Sequence, residues 1–104
     1  MAQFDVYANP NPDTMRAIPY LLDVQADILS NLATRVVVPL YAVSAMGKAA
    51  QHLNPTFSIK RTSVIMSTAE LAGVTASLLG TKVCSLKERR NEIIAALDFL
   101  ITGF

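Results

Sequence analysis

Cys84 and His52 are the sole cysteine and the sole histidine of the chain, and they set the limit on the chemistry it can do. A thiol nucleophile needs a base within hydrogen-bond reach and a third group to orient that base. Here the two residues lie far apart in sequence and neither sits in a local catalytic signature. A buried structural thiol and a hydrogen-bonded histidine in the loop Gln51-His52-Leu53-Asn54 are the simpler reading. A metal site needs three or four ligands, and one histidine with one distant cysteine does not begin to supply them, so no metal and no cofactor are expected. Asp23 and Asp27 have the look of a carboxylate pair. On a strand, however, residues four apart are separated by about 13 Å, too far to share a proton. Arg89 and Arg90 either bind phosphate or, as a helix flank would have it, pair with neighbouring glutamates; the second is favoured. Gly47, Gly73, Gly80 and Gly103 are isolated, so there is no phosphate-cradling loop. The residues point to binding and away from catalysis, and the chain is not expected to be an enzyme.

The composition says what would do the binding. In 104 residues, 52 % are hydrophobic and 16 % charged, against about 25 % charged in an average domain. The length suits one domain, residues 1–104. A domain this small cannot hide that much apolar side chain, and contiguous exposed apolar patches mark contact sites. A homodimer is the simplest outlet; a well-packed monomer with scattered surface aliphatics is the alternative. A net charge of +1 makes no footprint for nucleic acid. One cysteine excludes an internal disulfide and fits a reducing compartment. Residues 1–5 lack a signal-peptide pattern. The apolar run Val36–Val43 contains Pro39 and falls far short of the roughly 20 residues of a membrane span. A cytoplasmic protein is expected, with no membrane partner.

These residues need a scaffold, and the hydrophobic periodicity supplies one. Phe4–Tyr7 alternates with period two and reads as a half-buried strand, stopped by Asn9-Pro10-Asn11-Pro12-Asp13. Tyr20–Gln25 is a second strand. Thr34–Val38 is β-branched and continuous, as a central strand covered on both faces would be, and Pro39 suggests its end or a bulge. Met46–Leu53 is an irregular or weakly helical connection. Thr56–Ile59 and Ser63–Met66 form a hairpin around Lys60-Arg61-Thr62, although its turn lacks glycine. Val74–Leu79 is the last strand-like run, ended by Gly80. Ser85 and Glu88 then have the spacing of a capping box. Beyond them Leu86, Ile93, Ile94, Leu97, Leu100 and Ile101 make one helical stripe, with Phe99 nearly opposite its centre and Gly103 as the helix stop. The expected architecture is mainly β with one C-terminal helix.

Several segments, in order and from residue 3 to residue 104, resemble the CcdB family. Gln3-Phe4-Asp5-Val6-Tyr7 is similar to its opening strand, and Asp23-Val24-Gln25-Ala26-Asp27-Ile28-Leu29 to its "DVQxD" segment. Arg35-Val36-Val37-Val38-Pro39-Leu40 is similar to its central strand. His52-Leu53-Asn54-Pro55, Ser85-Leu86 and the closing Asn91–Phe104 also match in kind and order. The resemblance implies an SH3-like barrel of the CcdB/MazF/Kid type and a homodimer. It implies the toxin of a type II toxin–antitoxin system, one that binds the A subunit of DNA gyrase and traps the gyrase–DNA cleavage complex. It further implies neutralisation by a cognate antitoxin with a disordered C-terminal segment. By position, the gyrase contacts implied are Ile101, Thr102, Gly103 and Phe104. The antitoxin contacts implied are Gln3, Phe4, Tyr7, Ala26, Ile28, Leu29 and Asp98. One departure stands out: the familiar family ending is Trp-Gly-aliphatic, whereas this chain has Thr102-Gly103-Phe104. Two alternatives stay open on the same fold. One is an endoribonuclease toxin, with Arg35, Arg61 and His52 converging in a groove; the other is an inactive relative that only binds antitoxin.

Overall fold

The computed structural model describes residues 1–47, 49–50 and 52–103. Among the described residues, seven strands precede one α-helix: β1 Asp5–Ala8, β2 Tyr20–Asp23, β3 Thr34–Ala42, β4 Thr56–Ile59, β5 Thr62–Met66, β6 Ala72–Thr75, β7 Lys82–Ser85 and α1 Arg90–Thr102. All pairings are antiparallel, in the order β4-β5-β3-β2-β1-β7, with β6 added to β3. The sheet curls into a half-barrel with the helix at its C-terminal end, the SH3-like architecture that the resemblance implies.

The long β3 organises the sheet. One edge pairs with β2 over Val37–Leu40. The other pairs first with β6 over Thr34–Val37 and then with β5 over Leu40–Ala42. Pro39 is therefore not the strand's end but the point where that edge changes partner. The Pro39 carbonyl accepts from the Ser67 amide at 3.0 Å. In a strand a residue's nitrogen faces the same edge as its carbonyl, so the missing N–H falls where the ladder is already interrupted.

Three other expectations change. The run from Val74 is strand only through Thr75, because β6 starts at Ala72 and the chain turns into a 3₁₀ segment at Ala76–Leu78. A strand absent from the sequence reading, β7, follows Gly80 and pairs with β1. Ser85 belongs to that strand, opposite Asp5, so no capping box forms. Its hydroxyl instead accepts the Lys87 amide at 3.2 Å, and a 3₁₀ turn at Lys87–Arg89 leads into α1. The glycine-free hairpin is real: Lys60 and Arg61 both take positive φ, 49° and 67°. That gives the two-residue loop the twist a hairpin needs, at some steric cost for side chains with a Cβ.

Inside the curl, Phe4, Val6, Leu22, Val38, Leu40, Phe57, Ile59, Val64 and Met66 form one cluster closed by Leu86, Ile93 and Ala96. Full burial of an aliphatic side chain such as Ile93 stabilises by roughly 1.5–3 kcal/mol. The helix thus buries Ile93 and Ala96, while Ile94, Leu97 and Leu100 are half-buried at the flank. Ile101, expected on the buried stripe, is 75 % exposed. Gly103 ends the helix with φ 80°, its amide donating to the Phe99 carbonyl at 3.0 Å.

Gly80 crosses β1 so closely that a Cβ there would lie 2.5 Å from the Ala8 carbonyl oxygen. Backbone cannot yield as a side-chain tip can. Gly80→Ala should therefore destabilise the fold by about 1–3 kcal/mol, read as a lower urea midpoint at unchanged slope.

Candidate functional site

The sequence-predicted contacts gather into two surfaces with buried residues beneath them. One is the 3₁₀ turn Asp27–Leu29, with three residues between it and the end of β2. Ile28 is 88 % exposed there, Leu29 is 47 % exposed, and Ala26 is exposed beside them. Gln3 joins the turn: its amide donates to Asp27 Oδ1 at 2.7 Å, and its side-chain amide donates to the Val24 carbonyl at 3.2 Å. The other surface is the end of α1. Asp98, Ile101 and Thr102 are spaced three and four apart, so they share one helix face, and all three are exposed together with Gly103. The Thr102 hydroxyl donates to the Asp98 carbonyl at 2.7 Å. Phe104 lies outside the described residues.

Phe4 and Tyr7 are placed differently. Both are core residues, 3 % and 5 % exposed, so any contribution to a surface runs through what they hold in place. Phe4 links the two regions. Its amide donates to the Asp23 carbonyl (2.6 Å), its carbonyl accepts from the Leu86 amide (2.8 Å), and its ring shares the core cluster with Ile93 and Ala96 of α1. Its φ of 71° is unusual for an aromatic residue.

Behind the turn lies a buried polar group that sequence reading missed. Asp23 and Arg35 are 0 % and 1 % exposed. Asp23 Oδ2 accepts a hydrogen bond from Arg35 Nε at 2.8 Å and lies 2.6 Å from Nη2 in an ion pair, while Oδ1 accepts the Gln25 amide at 3.0 Å. Arg35 Nη1 and Nη2 are both buried without a hydrogen-bond partner among the described residues, Nη2 being held by the ion pair alone. The register explains the meeting. Asp23 sits opposite Val37, which makes Arg35 its diagonal neighbour on the same face.

Tyr7 extends this group. Its hydroxyl lies 3.4 Å from Asp5 Oδ2, and burial together with the Asp5 carboxylate pushes its phenol up to about 12 from an ordinary 10.0. The folded protein therefore favours the neutral phenol. That contribution is complete below about pH 10 and is lost as pH rises through about 12. Stability should fall by up to about 2–3 kcal/mol over that window, and Tyr7→Phe should remove this part of the loss. Urea midpoints between pH 9 and 12 measure it; equal slopes for both proteins would refute it.

The remaining chemistry-bearing residues do not assemble. Cys84 faces β1 opposite Val6, and burial pushes its thiol up, the reverse of what a nucleophile needs. His52 has its ring edge-on to Phe99 at 6.3 Å. Arg89 forms an ion pair with Glu92 and lies 4.9 Å over the Phe57 ring. Among the described residues no three His, Cys, Asp or Glu side chains lie where they could hold a metal ion. No helix among them is long and apolar enough to cross a membrane.

Among the described residues, the turn at Asp27–Leu29 and the end of α1 present the exposed aliphatic side chains Ile28, Leu29 and Ile101. The family model of the CcdB protein matches residues 3–103, nearly the entire chain. The chain belongs to the CcdB family. The CcdB match thus spans both surfaces, from Gln3 through the turn to Gly103, and the family is one of toxin–antitoxin toxins.

Proposed function

We propose that this CcdB-family chain acts as a homodimer that binds the A subunit of DNA gyrase and holds the enzyme on cleaved DNA, blocking replication and transcription. A cognate antitoxin relieves the block by folding its disordered C-terminal segment onto the toxin. Gyrase poisoning is the family's known activity. The observation that carries the reading here is the end of α1, where Ile101 is 75 % exposed at a glycine-terminated helix. An aliphatic anchor followed by Gly103, which brings no Cβ to the contact, suits insertion against a partner's surface. Ile101, Thr102, Gly103 and Phe104 are assigned to gyrase. Gln3, Ala26, Ile28, Leu29 and Asp98 are assigned to the antitoxin, with Phe4 and Tyr7 supporting that surface from within. The exposed turn and the excess of apolar residues support the partner-rich reading. For an endoribonuclease, Arg35 would have to reach RNA, yet its guanidinium is buried against Asp23. Co-elution of the purified chain with the gyrase A subunit tests the proposal. A folded chain that forms no complex at micromolar concentrations would overturn it.

A further inference from the structure

Among the described residues Ile28 is the most exposed large hydrophobic side chain, yet the turn that presents it is fastened by a buried group. Gln25 is only 5 % exposed. Its Oε1 accepts the Val36 amide at 3.0 Å, and its Nε2 donates to the Leu29 carbonyl at 2.9 Å. One side-chain amide therefore ties the last residue of the 3₁₀ turn to the central strand of the sheet. Its own backbone is fixed in turn by Asp23, whose second oxygen is held by Arg35. On the opposite side Asp27 takes the Gln3 amide. The polar residues at 23, 25 and 27 thus each fasten a different part of one short segment.

We propose that Gln25 is a positioning residue for partner binding: it locks the turn so that Ile28 stands ready as a single aliphatic anchor onto which the antitoxin's C-terminal segment folds. This rests on the reading of Ile28 as an antitoxin contact. The physical advantage is that backbone order is already established when the partner arrives, so less is lost on association. A buried amide suits the task because it donates to the turn and accepts from the central strand without bringing a charge into the interior.

Gln25→Glu separates the two halves of the tie. The carboxylate keeps an acceptor for the Val36 amide but offers no donor to the Leu29 carbonyl. Amide exchange at Leu29, Ser30 and Leu32 should accelerate about tenfold or more at neutral pH, while Val38 and Leu40 in β3 stay protected. Affinity for a peptide covering the C-terminal segment of the cognate antitoxin should drop about tenfold. Lowering the pH until the introduced carboxyl is protonated should restore both, since the acid form donates again; the unmodified chain at each pH is the control. A global loss of stability would also be relieved by protonation, but it would accelerate exchange at Val38 and Leu40 along with the turn. Ile28→Ala should weaken the peptide without changing exchange. Unchanged exchange in Gln25→Glu overturns the positioning role itself. Unchanged peptide binding by Ile28→Ala overturns the contact reading beneath it, and with that the binding role of Gln25. Should Gln25→Glu not fold, Gln25→Asn, too short to span both partners, gives the same test of exchange and affinity.

Discussion

Removal of residues 102–104 should weaken binding to the gyrase A subunit by at least about 100-fold while leaving the fold intact. A few anchors near the centre of an interface carry most of its energy, with losses of about 2–4 kcal/mol each on truncation. The described part of this tail makes no buried contact: Thr102 and Gly103 are exposed, and their bonds return to the Asp98 and Phe99 carbonyls of the same helix. Deletion therefore frays the last turn of α1 without opening the core around Ile93 and Ala96. Phe104→Ala should reproduce most of the loss. Circular dichroism and urea midpoints close to those of the full chain, alongside a collapsed affinity, would establish the tail as the contact. Undiminished binding by the shortened chain would move the contact elsewhere.

The largest stability effect should come from Arg35. Arg35→Ala leaves the buried Asp23 without its counter-charge, and breaking such a pair costs about 3–5 kcal/mol. A domain of this kind has about 5–15 kcal/mol in total, so the variant should be marginal at 37 °C. The paired replacement Asp23→Leu with Arg35→Met should recover most of the loss, because both desolvation penalties go together. The unpartnered Nη1 already adds to the penalty on the native side. Urea denaturation of the single and double variants measures the coupling directly. A single variant within about 1 kcal/mol of the parent would mean that the pair is solvated in solution.

How much of this was written legibly in the sequence depended on whether the cue was local. The β-branched run Thr34–Val38 announced the central strand, and the structure pairs it on both edges. The hairpin at Lys60-Arg61 was found from its flanking runs even without a glycine, because the strands themselves fix the loop length. Residues 82–85 were missed as a strand, since four residues after a glycine carry too little periodicity, and pairing with β1 decides their fate. The capping-box spacing at Ser85 and Glu88 misled for the same reason: the serine's backbone was already committed to the sheet. On the helix, the stripe placed Ile93 in the core but could not show that the sheet ends before Ile101 is reached. Asp23 and Arg35 belong to separate strands, and only the register makes them neighbours. Asp23 and Asp27 read as carboxylates four apart on one strand. In fact β2 stops at Asp23, and beyond it these side chains fasten a turn.

The most direct measurement combines the purified chain with gyrase, ATP and supercoiled plasmid, followed by detergent and protease treatment. A gyrase poison leaves the enzyme on broken DNA, so linear plasmid should accumulate with increasing chain and disappear when residues 102–104 are deleted. Plasmid that stays free of linear product, with folded protein and a gyrase shown to supercoil, would contradict the account and leave an inactive, antitoxin-binding relative in its place.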